Sequence, residues 1–289
     1  WNIRDKEVIP ITNHPAWLYV DHTLYYVPDI NGNMVKPFRQ RDEVRIPAEK
    51  VKTYFQKFIL KVASKLDIEA QGFDLVQFEQ LQACQIEIVP GLFQEKLLLS
   101  VTMRYPHADF RWNDARQQRT SLQFDEEVRI LQIKRDMEAE QVFMEKLTAF
   151  GLEQGDGSYF RPVESTEDPY YLVEWLIQHR EALEQAGFMV ADAQLEDQLL
   201  DLHPPVLSLE TEQVNDWFDI HGQVTVGEFS FPFTRLAQFI ARGERLYPLP
   251  NGTYFLIPEE WMNKYKPLVQ FASSDKEKMR ISKAQHTLL

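Results

Sequence analysis

Residues 214–271 are the part of the chain that is easiest to interpret, and they read VNDWFDIHGQVTVGEFSFPFTRLAQFIARGERLYPLPNGTYFLIPEEWMNKYKPLVQF. The runs DWFDIHGQVTVG and EFSFPF predict β-strands, because they are rich in aromatic and β-branched residues. TRLAQFIARG predicts a short amphipathic helix that ends at Gly243. Asn251-Gly252 is a strong hairpin signal, and Pro258 suits the start of a further helix. This order of elements predicts an α+β module.

Three smaller expectations accompany this module. The final segment, ISKAQHTLL at 281–289, predicts the beginning of one more helix. His221-Gly222 is more typical of a turn between strands than of a catalytic or metal-binding histidine. Glu259 and Glu260 are interpreted as first-turn residues of a helix, where the helix dipole favours anions, rather than as paired catalytic carboxylates.

The N-terminal part changes from a β pattern to a helical pattern. Residues 17–28 hold two apolar-aromatic runs on either side of Asp-His-Thr at 21–23, which predicts a tight hairpin. From Pro47 onward the apolar residues recur at helical spacing, which predicts a helix. Its apolar positions are Val51, Tyr54, Phe55, Phe58, Ile59 and Val62.

The middle of the chain continues in blocks of strands and helices. Residues 82–106 predict two strands joined by a turn, and residues 136–150 and 168–186 each predict a helix. Because the elements do not alternate strictly, the expected fold class is α+β, with mixed antiparallel sheets and packed helices in two to three subdomains. We expect a β-rich N-terminal domain with one long helix at 1–135, a helical middle segment at 136–205 and a C-terminal α+β module at 206–289.

Composition and charge restrict the classes of function. The chain has 289 residues, of which 44% are hydrophobic, and its net charge is −13. Such an acidic surface disfavours non-specific binding to nucleic acid or an anionic membrane, although a local basic patch can still bind. The sequence has no apolar run of about 18 residues, so we expect no transmembrane helix. The single Cys84 excludes an internal disulfide and a Cys-rich zinc site, which favours a cytoplasmic location. Because the chain opens with Trp1 rather than Met, we expect a piece of a longer protein.

Two motifs in the last third of the chain, followed by a K-x-Q-x-x-L-L pattern, resemble the accessory region of bacterial Swi/Snf-family helicases. The first motif is V-x-x-G-x-F-x-[IF]-P-F-x-x-L, and the second is G-x-R-x-[YF]-x-L-x-[ND]-G-x-[YF]-x-x-[IL]-P-x-x-W. The resemblance covers the last quarter of the chain well, whereas the first two hundred residues fit only by position and general character. The matching residues are Val224, Gly227, Phe229, Pro232, Phe233, Leu236, Gly243, Arg245, Tyr247, Leu249, Asn251, Gly252, Tyr254, Pro258, Trp261, Lys283, Gln285 and Leu288.

The resemblance implies a non-catalytic region that lies immediately N-terminal to an ATPase core. The sequence contains no G-x-x-x-x-G-K-[ST] phosphate loop and no Asp-Glu-x-His box, so this chain holds no ATPase core of its own. ATP and Mg²⁺ are therefore expected at the motor, and no cofactor is expected here. The implied partners are the protein's own Swi/Snf ATPase core, in cis, and double-stranded DNA or a nucleoprotein complex. No membrane partner is expected.

Residues 36–65 form a basic segment in this acidic chain, with nine basic and three acidic residues. A phosphate-contacting surface would use such residues, because each neutralised phosphate releases counterions and adds affinity. The simpler interpretation is a solvated helix face. The candidate nucleic-acid-binding residues in this segment are Lys36, Arg39, Arg41, Arg45, Lys50, Lys52 and Lys57.

A second candidate mixes aromatic residues with arginines, and its nucleic-acid-binding residues are Arg111, Trp112 and Arg116, next to Phe110. Aromatic rings can stack on bases, and arginines add cation–π and phosphate contacts. The alternative is the end of a strand followed by a loop.

Other residues with chemical potential have weaker patterns. His107, Asp109 and Asp114 would need further converging ligands to hold a metal, so we expect no metal site. Cys84 lies in an apolar run, which predicts a buried thiol that behaves as a small hydrophobic residue.

Three hypotheses of function remain open. The favoured one is an accessory region that holds or gates a motor and helps it to engage its substrate. The second is a protein-interaction module that docks on a transcription or repair complex without touching nucleic acid, which the acidic balance favours. The third is a free-standing enzyme, which would require a pocket lined by several ionisable groups.

Overall fold

The computed structural model describes residues 8–28, 31–34, 45–63, 74–91, 96–124, 128–155, 157–163, 167–195, 197–274 and 278–282. Strands dominate in these ranges and helices are interspersed among them, so the predicted α+β fold class is confirmed. The described residues divide into two units, one within 1–80, 106–108 and 115–135 and the other within 81–105, 109–114 and 136–289. The domain boundaries expected from the sequence at 135 and 205 stay a prediction.

The first unit begins with an antiparallel three-stranded sheet. Its strands are β1 (Val8–Asn13), β2 (Ala16–Val20) and β3 (Thr23–Val27). Asp21 and His22 connect β2 to β3 with positive φ angles of 46° and 64°, which confirms the predicted hairpin.

A helical segment in the same unit confirms the helix predicted from Pro47. It passes through a 3-10 turn (Ala48–Lys50), α1 (Val51–Tyr54), a π-helical turn (Phe55–Ile59) and α2 (Leu60–Ala63). The unit also contains a short 3-10 turn at Gly32–Met34 and a second sheet. The strands of that sheet are β4 (Asp74–Phe78), β8 (Gln118–Phe124) and β9 (Val128–Lys134), and they lie in the order β4-β9-β8.

The second unit contains a mixed sheet with two helices in its connections, α3 (Met137–Ala149) and α4 (Tyr171–Gln185). Its strands are β5 (Ala83–Pro90), β6 (Leu97–Tyr105), β7 (Ala108–Arg111), β10 (Leu152–Gln154), β11 (Tyr159–Pro162) and β12 (Phe188–Val190). They lie in the order β10-β11-β6-β5-β12, and β7 also pairs with β6. Asp136 accepts a hydrogen bond from the Ala139 N–H at 3.0 Å and so caps the start of α3.

The C-terminal part of this unit holds two further sheets. Their strands are β13 (Gln194–Leu195), β14 (Gln198–Asp201), β15 (Val206–Val214), β16 (Trp217–Val226), β17 (Phe229–Pro232), β18 (Leu246–Pro248), β19 (Tyr254–Leu256), β20 (Ser273–Ser274) and β21 (Lys278–Ser282). One sheet has the order β13-β14-β19-β18 and the other β15-β16-β21-β20, with β17 paired to β16. Two helices pack against each other here, α5 (Thr234–Arg242) and α6 (Glu259–Phe271).

One apolar core holds this C-terminal part together. It gathers residues from strands and helices alike, among them Val224, Phe233, Leu236, Leu268 and Ile281, which are all almost fully buried. The element order predicted from residues 214–271 is therefore confirmed, because each predicted strand and helix places its apolar side in this core.

Two expectations about this region are wrong. His221-Gly222 does not form a turn but lies inside β16, where both residues continue the pairing with β15. Ile281 and Ser282 do not begin a helix, because they end the strand β21, which alternates buried Met279 and Ile281 with residues on the other face. The rest of the expected helix, 283–289, lies outside the described residues.

Gly222 is required by a close approach rather than by an unusual backbone angle. A Cβ atom at Gly222 would lie 2.5 Å from the Cβ of Phe233 and 2.8 Å from Cδ2 of Leu209. Phe233 is almost fully buried, so its Cβ cannot move away without disturbing the core.

Replacing Gly222 by alanine is therefore expected to lower the free energy of unfolding by about 1–3 kcal/mol, the usual cost of overpacking. Urea unfolding of the 289-residue chain measures the change. Gly155→Ala is the matched control, because a Cβ there meets nothing closer than the Tyr159 carbonyl oxygen at 3.7 Å. Equal stability of the Gly222→Ala variant and the parent would contradict the close packing described here.

Candidate functional site

The helical segment presents part of the predicted basic set to solvent. Arg45, Lys50, Lys52 and Lys57 are exposed, while the side of the segment that holds Tyr54 is half-buried. Lys50 ends the 3-10 turn and Lys57 lies in the π-helical turn of this segment. The other predicted residues of the set, Lys36, Arg39 and Arg41, lie outside the described residues.

The end of the helical segment is fixed to the β4-β9-β8 sheet by a buried amide. Gln132 on β9 is 1% exposed, and its Nε2 donates to the Ala63 carbonyl oxygen at 3.0 Å and to Gln118 Oε1 at 3.2 Å. Gln77 Nε2 donates to Gln132 Oε1 at 2.6 Å. The buried amide has partners at both its oxygen and its nitrogen, and these bonds connect the end of the basic segment to the sheet.

The second predicted candidate is divided between the two units. Phe110 is fully buried and meets Tyr105 edge-on, with ring centroids 5.6 Å apart, so Phe110 belongs to the core and not to a stacking surface. Arg111 is exposed and Trp112 is half-buried, and both belong to the second unit. Arg116 belongs to the first unit, where its carbonyl oxygen accepts from Arg135 Nη1 at 3.5 Å. Nucleic-acid binding by Arg111, Trp112 and Arg116 stays a prediction.

The histidine and carboxylate candidates occupy ordinary structural positions. The His107 ring packs against Phe78 with centroids 5.1 Å apart, and the Asp114 N–H donates to the Arg111 carbonyl oxygen at 3.0 Å in a turn. Asp109 is exposed on β7. Within the described ranges, no three His, Cys, Asp or Glu side chains converge as metal ligands would.

Cys84 is buried as predicted, on β5 in the core of the second unit. Burial, with the nearby Glu140 carboxylate, raises the pKa of the thiol to about 12. The thiolate, which is the reactive form, is therefore scarcely populated at neutral pH, and this cysteine fills space in the core.

Sequence reasoning missed a densely bonded polar cluster in the second unit, which we call the Arg245 node. Arg245 lies just before β18, and its side chain is 9% exposed. Its Nη1 donates to Asp168 Oδ1 at 2.7 Å, and its Nη2 donates to Glu174. Its Nε donates to the Ile257 carbonyl oxygen at 2.9 Å. The planar guanidinium thus joins three acceptors in different parts of the chain.

The Arg245 node also orders the backbone around it. Glu174 accepts a further hydrogen bond from the Glu259 N–H at 2.6 Å, at the start of α6. Asp168 accepts from the Tyr170 N–H at 3.0 Å, just before α4. The node therefore connects the beginning of α4 with the β18–β19 hairpin and the beginning of α6. Glu259, interpreted from sequence as a first-turn residue, has that position.

A second ion-pair cluster lies within the β16 sheet. Asp219 on β16 accepts from Arg280 Nε at 2.5 Å and from Lys278 Nζ at 2.6 Å, both on β21. The hydrogen bonds from Arg280 and Lys278 hold the pKa of the Asp219 carboxyl well below its usual value of 3.8. These bonds add side-chain contacts to the pairing of β21 with β16.

Two cavities open beside Asp168, with volumes of about 360 and 630 Å³. The smaller is lined by apolar, proline and charged residues, and two of the charged residues, Glu153 and Arg161, already form an ion pair at 2.8 Å. No serine, cysteine or histidine stands among the described residues that line either cavity. Neither cavity therefore presents, among those residues, a serine or cysteine nucleophile beside a histidine base.

The Arg245 node gives a direct stability prediction. Arg245→Met leaves Asp168 and Glu174 buried without their cation, and breaking a buried pair in this way costs about 3–5 kcal/mol. The free energy of unfolding in urea measures the loss. The control is Arg242→Met, which removes an exposed pair with Glu244 and is expected to cost about 0–1 kcal/mol. If both variants lose the same small amount, the node does not stabilise the fold.

Asp219 gives a prediction about pH. Its pKa is lowered in the folded state, so its contribution to stability is full above the unfolded pKa of 3.8 and is lost as the pH falls below that value. The difference in urea midpoint between the parent and Asp219→Asn is therefore expected to stay constant above about pH 5 and to shrink below about pH 4. Asp197→Asn, at an exposed turn position, is the control. A difference that persists unchanged to about pH 1 would contradict the assignment.

The residues that carry the sequence motifs have structural roles in these surroundings. Gly243 ends α5 with a positive φ of 76°, and Gly252 has a φ of 87° in the β18–β19 turn. Asn251 Oδ1 accepts from the Thr253 N–H at 3.0 Å in the same turn. Tyr247 stacks on Phe231 with ring centroids 4.9 Å apart. The motif residues Lys283, Gln285 and Leu288 lie outside the described residues.

Comparison with known proteins supports the resemblance found in the sequence. A family model described as bacterial SNF2 helicase associated matches residues 2–270. A search of the curated proteins found no match, and a search of the solved structures found none either. None of the helices described is both long and apolar enough to cross a membrane. The match extends over the first two hundred residues, which the sequence motifs alone did not cover. The chain therefore belongs to the bacterial SNF2 helicase-associated family.

Proposed function

We propose that this chain is a non-catalytic accessory region of an SNF2-type, ATP-dependent DNA translocase, placed N-terminal to the motor. The observation that carries the proposal is the family match over residues 2–270, which includes the two motifs between Val224 and Trp261. In this role the chain positions or gates the ATPase core of its own protein and helps it to engage its substrate. The cytoplasm is the compartment we propose for it.

The roles of the motif residues support a non-catalytic assignment. The described motif residues form turns, pack in the C-terminal core or, at Arg245, join separate elements through ion pairs. A region that positions another domain needs such rigidity more than it needs nucleophiles or bases. ATP and Mg²⁺ would then be bound by the motor. This chain would act on the motor through the fixed arrangement of its own helices and strands.

The substrate we propose is double-stranded DNA or a nucleoprotein complex, contacted through the basic helical segment. Arg45, Lys50, Lys52 and Lys57 are exposed there, and the segment is supported by the buried Gln132. Phosphate contacts supply affinity without reading sequence, which suits an accessory surface of a translocating enzyme. The net charge of −13 keeps such binding local rather than general.

A second candidate function, protein interaction without nucleic-acid contact, is favoured by the first sheet. Tyr19, Leu24 and Tyr26 share one face of β2 and β3 and are 36%, 54% and 53% exposed. Residues 8–28 contain no lysine or arginine, so this face offers apolar and aromatic contacts but no cation for a phosphate. Exposed apolar groups of this kind mark protein docking surfaces.

Duplex DNA binding tests the proposal. We expect the 289-residue chain to bind labelled duplex DNA at low salt, with an affinity that falls steeply as salt rises, measured by fluorescence anisotropy. Replacing Lys50 and Lys57 together by glutamine is expected to reduce the slope of log affinity against log salt by about 0.9 for each phosphate that is no longer neutralised. The matched control replaces Lys264 and Lys266 on α6, which are also exposed, and should leave the slope unchanged.

Measurements on the same 289-residue chain distinguish between the two candidate functions. An absence of binding even at low salt would favour the protein-interaction function instead. An equal loss in the control variant would place the DNA contact somewhere other than the basic segment. ATP turnover by the purified chain that persists through further purification would contradict the non-catalytic role.

A further inference from the structure

The strand β15 is an open edge of the last sheet. It has nine residues and stands at the end of the order β15-β16-β21-β20. It pairs with β16 from Val206 opposite Thr225 to Val214 opposite Trp217 without a shift in register. No strand in the described part of the chain pairs along its other side. Such an edge offers backbone N–H and C=O groups to another extended segment.

The two faces of β15 differ in character. Leu207 and Leu209 pack against the C-terminal core, so the alternate residues lie on the opposite, outward face. That face carries Val206, Ser208, Glu210, Glu212 and Val214, all of which are exposed. Reading along the edge, an added strand would meet an apolar residue, a small polar residue, two acids and another apolar residue.

Three of the usual protections of an edge strand, proline, lysine and a β-bulge, are absent from β15. Residues 206–214 contain no proline and no lysine, and the register with β16 shows no bulge. The acidic pair, Glu210 and Glu212, opposes pairing with a second copy. Antiparallel self-pairing centred on Glu210 would place this residue opposite its own copy, and like charges directly opposite destabilise a sheet.

The same sheet already contains an acidic residue that binds two basic residues of a neighbouring strand. The register places Arg280 of β21 directly opposite Asp219 and Lys278 opposite His221. These basic residues are two positions apart on one face of the sheet, and both bind the Asp219 carboxylate. The acids of β15 have the same two-residue spacing on the same face, because Glu212 lies opposite Asp219 and Glu210 lies opposite His221.

We propose that β15 is a docking edge for an extended protein segment that carries two basic residues at alternate positions. The segment would add a strand beside β15, with its basic side chains facing Glu210 and Glu212. Apolar residues at its ends would cover Val206 and Val214, which are 62% and 37% exposed. This partner is a protein and not a nucleic acid, since the acidic pair repels phosphates. The proposal does not depend on the motor or on the basic helical segment.

A peptide with the sequence VTKTKTTTV tests the proposal, because its alternate residues match the outward face of β15 in antiparallel pairing. We expect the labelled peptide to bind the 289-residue chain saturably, as measured by fluorescence anisotropy. The peptide VTKPKTTTV has the same charge, but its proline disrupts strand pairing, and we expect it to bind roughly tenfold more weakly. Amide hydrogen exchange is expected to show new protection within residues 206–214 when VTKTKTTTV is bound.

Matched variants distinguish binding at the β15 edge from attraction by the net charge of the chain. Glu210→Lys with Glu212→Lys changes the net charge from −13 to −9, and so does the control, Glu228→Lys with Asp197→Lys at exposed turn positions. We expect roughly tenfold weaker peptide binding for the edge variant and little change for the control, since the paired charges act at short range.

Four results would overturn the proposal. Equal binding of the two peptides would mean that the net negative charge of the chain attracts a basic peptide without strand pairing at β15. An equal loss in both double variants would have the same meaning. New protection outside β15 would place the binding elsewhere. An absence of peptide binding at low salt would remove the docking edge altogether.

Discussion

The pairing of Arg245 with two carboxylates is the constraint that fixes how α4, the β18–β19 hairpin and α6 meet. Asp168 and Glu174 are mostly buried, and two carboxylates in one place repel each other unless a cation lies between them. The guanidinium supplies that charge and also satisfies the Ile257 carbonyl oxygen. Because its donors have a fixed planar geometry, the beginnings of α4, the hairpin and α6 must meet at one point.

This constraint bears on the proposed accessory function. A buried ion-pair network stabilises little compared with an apolar core, but it specifies one arrangement of its elements and penalises others. The motif glycines and aromatic residues around Arg245 serve the same end, through turns and packing. A region built in this way suits a role in which it holds another domain in a defined position, and the proposed accessory function has that requirement.

The strand β16 lies between a strand with basic residues and a strand with acidic residues. On one side it pairs with β21, whose basic residues are bound by Asp219, and on the other with the acidic β15, which is an open edge in the described part of the chain. The basic helical segment belongs to the other unit. The proposed DNA contact and the proposed peptide edge therefore use separate elements of opposite charge.

The sequence by itself determined the elements whose signals are local. The hairpin at residues 21–23, the helix after Pro47 and the order of elements around Asn251-Gly252 were predicted correctly, because turn residues and apolar periodicity act over a few positions. The family was also indicated by sequence, since its motif is a spacing of such residues. The predicted basic residues of the helical segment that the structure describes are exposed, as a charged helix face should be.

Only the tertiary structure decided the features that join distant residues. His221-Gly222 carries a turn-like composition, yet it continues a strand because both residues pair with β15. The missing side chain of Gly222 leaves room for Phe233 and Leu209. Ile281 extends a strand rather than a helix because β16 pairs with it. Phe110 does not belong to a base-stacking surface because its side chain is buried in the core. Arg245 belongs to the sequence motif, but the motif does not give its partners, since Asp168 lies 77 positions away and long-range pairing is set by how the whole chain packs.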